Sequence, residues 1–160
     1  MKVMGIDPGT RFVGFSVVEK QGNRLSCITS GVVRTNTKEP IPQRLRVIYR
    51  EIAAVINEHE PQHVAVEKVF FGKNIQSAIK LGEGRGVVLL AAAQKDLDIF
   101  EYDATKVKKS IVGGGRAHKS QIQFMVKKIL NIDKEMSDDE ADALAIAVCH
   151  CQNYIAGILQ

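Results

Sequence analysis

Four acidic residues stand where chemistry is possible: Asp7, Glu67, Asp139 and Asp142. Asp7 closes the run KVMGID and precedes Pro8-Gly9, and Glu67 closes HVAVE. Asp139 and Asp142 are three apart in DDEADALAIAV, so on a helix they share one face near its N-terminus. Taken singly, Asp7 reads as a turn former, Glu67 as a strand-end charge and Asp139 as a match to the helix macrodipole. Asp142 resists such an account, because Ala143 to Val148 is almost wholly apolar. So greasy a helix is buried, and a carboxylate leading into it is held there for a purpose. Four carboxylates meeting at one mouth repel one another unless a divalent cation neutralises them. Hard oxygen ligands with open positions for water and phosphate suit magnesium or manganese.

The elements that must position these acids follow from local patterns. Residues 2–7 read as a short buried strand ending in a Pro-Gly turn. Residues 12–19 and 24–34 read as two more strands, joined by a hairpin around Gln21-Gly22-Asn23. Leu45, Ile48, Ile52 and Ile56 recur at helical spacing, with Pro42 near the start and Pro61 past the end. His63 to Phe70 holds the β-rich run Val64-Ala65-Val66. Helices are predicted at about 75–95, 104–111, 119–130 and from Asp138 to Ile155, with a strand over Asp98–Tyr102. The face of the 119–130 helix carries Ile122, Met125 or Val126, and Ile129.

Three antiparallel strands followed by two strand–helix units predict an α/β fold, a mixed five-stranded sheet flanked by helices. In such sheets ligand sites gather at the carboxyl ends of strands, which brings Asp7 and Glu67 to one mouth. Ribonuclease-H-like nucleases share this order with the phosphate-binding half of actin-like ATPases, and order alone does not choose. The ATPases need a second Gly-rich acidic hairpin, and no second copy is visible in these 160 residues.

That length suits one domain spanning 1–160. With 45% hydrophobic and 25% charged residues it has the balance of a soluble globular protein. No apolar run approaches the roughly 20 residues of a membrane span, so the expectation is a cytoplasmic protein with no membrane partner. Cys27, Cys149 and Cys151 are an odd set, read as reduced thiols. The net charge of +4 is unevenly spread. Lys106, Lys108, Lys109, Arg116, Lys119, Lys127 and Lys128 fall between Ala104 and Ile132 with no acid among them. The rest of the chain holds 15 basic and 18 acidic residues, a net of −3. A local concentration of positive charge on a mildly acidic background is the footprint of a phosphate-backbone partner.

Phe70 and Phe71 follow Glu67 by three and four residues. Neighbours in an extended segment point to opposite faces, so both cannot enter one core. One is expected beside the metal site, where it can stack on or wedge between unpaired bases. The alternative splits the pair between core and dimer interface. Cys149-His150-Cys151 is not a metal cluster, because adjacent helical residues point about 100° apart. His59 and His63 read as surface residues. Gly82, Gly84 and Gly86 lack the dinucleotide spacing and suit close packing of two helices, within the chain or across a dimer interface. GGGRAHKS has His118 where a phosphate loop needs its second Gly, so a basic loop shaped around DNA fits better than an ATP site.

The chain resembles the RuvC family of Holliday junction resolvases over nearly its whole length. The resemblance rests on GIDPGTRFVGFSVV, VAVEKVFFGKN, AIKLGEGRGVVLLAA, VKKSIVGGGRAHKSQI and DEADALAIA, in the right order and spacing. It implies a ribonuclease-H-like fold, a homodimer, and symmetrical paired nicks across four-way DNA junctions in recombination and repair. It implies catalytic, metal-holding roles for Asp7, Glu67, Asp139 and Asp142, the set already reached from spacing; the family also allows His at the third position. Two magnesium ions about 4 Å apart, replaceable by manganese, would drive hydrolysis with water as nucleophile, Asp7 bridging them. Phe70 is the aromatic the resemblance sets near the crossover, and Lys108 and Lys119 the basic residues near the scissile phosphate. Lys106, Lys109, Arg116 and Lys127 are expected as backbone steering contacts or as solvent-exposed residues. RuvA and RuvB are the implied protein partners.

Overall fold

The computed structural model describes residues 1–68, 75–115 and 117–154. Phe70, Phe71 and Arg116 lie outside them. Among the described residues the chain forms β1 (Lys2–Asp7), β2 (Phe12–Gln21), β3 (Arg24–Arg34), α1 (Ile41–His59), β4 (His63–Glu67), α2 (Ile75–Ala93), β5 (Asp98–Tyr102), α3 (Ala104–Val112), α4 (Lys119–Leu130) and α5 (Asp138–Asn153). The sheet order is β3-β2-β1-β4-β5. The first three strands pair antiparallel, and β1–β4 and β4–β5 pair parallel, as the order of elements predicts.

Strand alternation divides the core between two faces. Met4, Ile6, Val13 and Val17 point to one face and meet Ile48, Ile52 and Ile56 of α1. Val3, Val18 and Ala65 point to the other and meet α3, α4 and the apolar run of α5. Helix α1 opens through Pro40 and Pro42 and closes at Glu60 in the left-handed region, one residue before Pro61.

Close approach of α5 requires glycine in two strands. A Cβ built on Gly5 would lie 2.2 Å from the Ala143 carbonyl oxygen, and one on Gly14 would lie 1.9 Å from that of Asp139. Ser16 adds a hydroxyl that donates to the Ala143 carbonyl at 2.9 Å.

Four sequence expectations need correction. Strand β2 runs to Gln21, because the two-residue turn at Gly22-Asn23 lets pairing continue to Gln21↔Arg24. Helix α5 stops at Asn153, because Tyr154 takes an extended backbone and its ring joins Phe100, His63 and His150. Gly84 packs against the turn after β1: its Cβ would lie 2.3 Å from the Gly9 carbonyl oxygen.

His63 is the fourth, and it is buried. Its Nδ1 lies 2.9 Å from Nε2 of fully buried His150, whose Nδ1 lies 2.8 Å from the Tyr102 hydroxyl. A neutral His150 satisfies both contacts when Tyr102 donates to Nδ1 and Nε2–H donates to His63. Cys149 and Cys151 are free, buried thiols on the same helix turn, so the CHC run is core and not a ligand set.

Burial, then the neighbouring His63 and Lys20, push the His150 pKa down to about 4 from 6.5. The unfolded chain therefore takes up this proton first as pH falls, and the folded state loses stability between about pH 6.5 and 4. His150→Gln should melt below wild type at pH 7.5, with the gap narrowing steadily toward pH 4.5. A gap independent of pH, measured by thermal melts in EDTA, would overturn this account of His150.

Candidate active site

Asp7 ends β1 and Glu67 ends the adjacent parallel strand β4, so both stand at carboxyl ends of neighbouring strands. Asp139 and Asp142 come from the first turns of α5. That helix begins at Ser137, whose hydroxyl accepts from the Glu140 amide at 3.4 Å, and its first turn is acidic, as the macrodipole favours. The contact at Gly14 carries Asp139 to the mouth: Gly14 pairs with Asp7 in the sheet register, and its Cα faces the Asp139 backbone.

The four acids share one electrostatic site. Burial, then Asp142, Glu67 and Asp139, raise the Asp7 pKa to about 7, with Lys119 opposing. Burial and Asp142 raise Glu67, against the pull of Lys108 and Lys119. Asp142 is raised by burial and by Asp138 and Asp139, while Lys119 lowers it. The Lys119 Nζ stands 3.7 Å from an Asp142 oxygen and 3.8 Å from an Asp138 oxygen. A cleft of about 270 Å³ opens beside them, its polar wall Glu67, Asp142, Lys108 and Lys119 and its floor Val107, Ile122 and Ile146.

Among the described residues no three such side chains are already closed into a ligand shell. The donor set nevertheless fits a hard divalent cation: carboxylate oxygens, partly buried, whose mutual repulsion a cation would relieve. Lys119, 3.7 Å from an Asp142 oxygen, stands where it would have to give way to such a cation.

Of the basic residues singled out by sequence, the structure brings Lys108 and Lys119 to the carboxylates. Lys106 lies over the Tyr102 ring at 5.2 Å, and Lys109 is exposed in the last turn of α3; neither lines the cleft.

Two supports escaped sequence reasoning. Arg44 of α1 donates to the Thr10 carbonyl at 2.6 Å and to the Thr35 hydroxyl at 3.1 Å, and Thr35 donates to Thr10 at 2.7 Å. This clamp fixes the turn after Asp7 from one side while Gly84 presses on it from another. Buried Glu140 accepts from Ser30 and Lys134, each at 2.6 Å, and so ties the start of α5 to β3. The signal for Gly14 was present, since glycine inside a strand marks close backbone approach. Nothing in the spacing marked Arg44 or Glu140.

A mixed sheet in this order, with carboxylates at two parallel strand ends and on a crossing helix, defines a ribonuclease-H-like fold. The family model described as crossover junction endodeoxyribonuclease RuvC matches residues 3–150, and the chain belongs to that family. It is 46% identical over 155 residues to the crossover junction endodeoxyribonuclease RuvC of Pelotomaculum thermopropionicum, spanning 96% of this chain and 94% of that one. The corresponding protein of Desulfitobacterium hafniense is 49% identical over 154 residues, 96% of this chain and 93% of its own. The structure of Thermus thermophilus RuvC in complex with a Holliday junction substrate superposes with a TM-score of 0.89. That match is at 35% identity and covers 94% of this chain and 92% of that chain. The yeast mitochondrial Holliday junction resolvase Ydc2, 10% identical with a TM-score of 0.68 over 94% of this chain and 77% of its own, shares the fold.

The raised pKa of Asp7 has a sign that can be measured. Its carboxyl ionises near pH 3.8 when unfolded and near 7 when folded, so wild type loses stability as pH rises through that range. Asp7→Asn should melt above wild type at pH 8 in EDTA, and the gain should vanish toward pH 4. Magnesium should raise the wild-type midpoint at pH 8 more than that of the variant. Identical pH and magnesium responses in the two proteins would remove Asp7 from the cation site.

Proposed function

We propose that this chain resolves four-way DNA junctions by symmetrical paired nicks, acting as a magnesium-dependent homodimeric endonuclease. The observation that carries the reading is the electrostatic strain that burial and neighbouring acids, Asp139 among them, impose on Asp7, Glu67 and Asp142 beside Lys108 and Lys119. It occurs in a family member whose Thermus relative is described in complex with a Holliday junction substrate.

Asp7, Glu67, Asp139 and Asp142 would hold two magnesium ions, with manganese as a substitute. When bound, such a pair supplies activation of a water nucleophile and stabilisation of the leaving oxygen. The partly buried carboxylates would orient that pair. Lys119, paired here with Asp142, would turn to the scissile phosphate with the acids neutralised. Lys108 would neutralise the neighbouring phosphate from the Glu67 side. Lys106, Lys109 and Arg116 would hold the backbone further out, and Phe70 would meet the unstacked bases at the crossover.

An exposed apolar face on α2 supports the homodimer. Ile75, Ile79 and Leu90 are 74%, 59% and 52% exposed, and Gly82 and Gly86 between them meet nothing within 4 Å. All five lie within one quarter of the helix circumference, where small residues admit a second helix. A two-fold pair of active sites matches the two-fold symmetry of a junction's paired strands. By family likeness RuvA and RuvB would be partners, and the whole chain would serve as one cytoplasmic nuclease domain.

The deciding assay uses an immobile four-way junction and its matching linear duplex, each with magnesium or EDTA. Paired nicks in the junction alone, lost in EDTA and undetectable for an Asp7→Asn protein that still binds, are expected. Cleavage by Asp7→Asn at the wild-type rate would overturn the site. Indifference to both DNA substrates, with cleavage of an RNA counterpart, would overturn the substrate.

A further inference from the structure

The basic side of the site already described is one-sided. Lys108 and Lys119 stand beside Glu67 and Asp142, toward α3 and α4. The strand order β3-β2-β1-β4 sets Asp7 and Glu67 in the middle and leaves β2 and β3 on the opposite flank.

That flank carries a second cationic feature. Arg11 and Arg34 both lie over the ring of Phe12, with their guanidinium carbons 4.9 and 5.1 Å from its centroid. Arg34 pairs with Phe12 in the β2–β3 register, and the Thr35 amide donates to the Arg11 carbonyl at 3.0 Å. Both arginines are exposed, and neither pairs with a carboxylate among the described residues. Phe12 is two residues from Gly14 on one strand, so both face the side of the sheet that receives α5. Gly14 pairs with Asp7 and lies under the Asp139 carbonyl. The arginine pair therefore begins one strand step beyond Asp7.

Stacking on an aromatic face pre-orients a guanidinium while leaving its in-plane N–H donors free, an arrangement suited to bidentate phosphate contact. At a four-way junction the strand on either side of a nick belongs to different duplex arms. A basic wall on one side of the carboxylates holds only one of them.

Resting on the junction-nuclease reading, we propose that Arg11 and Arg34, held on Phe12, form a second backbone-phosphate site for the arm that leaves the scissile phosphate opposite Lys108 and Lys119. The site reads charge and position, not sequence.

The test measures junction affinity of the Asp7→Asn protein against salt concentration, with and without Arg11→Ala and Arg34→Ala. Two lost phosphate contacts should lower the slope of log K against log salt by about 1.4 to 1.8, and weaken binding by about tenfold or more at low salt. Arg24→Ala with Lys95→Ala removes the same charge from exposed positions far from the site and should leave the slope in place. Arg11→Lys with Arg34→Lys should restore most of it, which a purely structural role in the β1–β2 turn would not. Neutral methylphosphonates on one side of the scissile phosphate should weaken the parent protein and cost the double alanine variant nothing more. A slope equal to the parent's, or methylphosphonate penalties that add on both sides, overturns the proposal. Failure of the parent protein to bind junctions at all would instead overturn the nuclease reading on which it rests.

Discussion

The contact on which the molecule depends is the seating of α5 on β1 and β2. At Gly5 and Gly14 the helix backbone comes so near that a single methyl group would meet carbonyl oxygen at about 2 Å. No side-chain layer intervenes, so the helix cannot slide without losing contact along its whole buried face. Asp139 and Asp142 are thereby fixed relative to Asp7 by backbone contact, which is stiffer than any positioning through long side chains. The rest of the sheet serves this seating. Strand β4 brings Glu67 alongside, and α1 with α2 closes the other face and presses the turn after Asp7 into place.

That rigidity works against electrostatics. Burial and neighbouring carboxylates raise Asp7, Glu67 and Asp142 together, so the folded chain holds acids it would be more stable without. The compensation lies at the far end of the same helix. From Ala143 to Cys151 every residue is buried, and His150 joins Tyr102 and His63 in a hydrogen-bonded row. The strained acids open on the cleft while the anchoring end lies in the core, which is how a binding site can be kept poor in stability without loosening the fold.

The sequence disclosed those parts of this arrangement that are periodic or punctuated. Hydrophobic spacing located the helices among the described residues to within about two residues, and the Pro-Gly turn and strand-end acids marked the mouth. Asp142 was legible because it is a charge facing a run of Ala, Leu, Ile and Val. His63 was misread because its local context, a Pro and a Gln, is that of a surface loop; its burial comes from Tyr154 and His150, which lie far away in sequence. Gly84 was misread because a glycine in a helix says that something comes close, and not what. Arg44 and Glu140 carried no signal at all, since each looks like one more charge on an amphipathic helix until the strand it reaches is known.

The same reasoning explains why charge counting found one basic flank and missed the other. Lys106 to Lys128 are contiguous in sequence, so their excess of charge over a mildly acidic chain is visible by inspection. Arg11 and Arg34 are separated by the β2–β3 hairpin and become neighbours only because Phe12 pairs with Arg34. A linear window averages each of them with nearby acids or neutral strand residues. Antiparallel pairing is what concentrates charge here, so its effect appears in the register and nowhere in the composition. In a sheet enzyme whose substrate crosses the strand ends, cations contributed by hairpins belong to the site as fully as those gathered on helices.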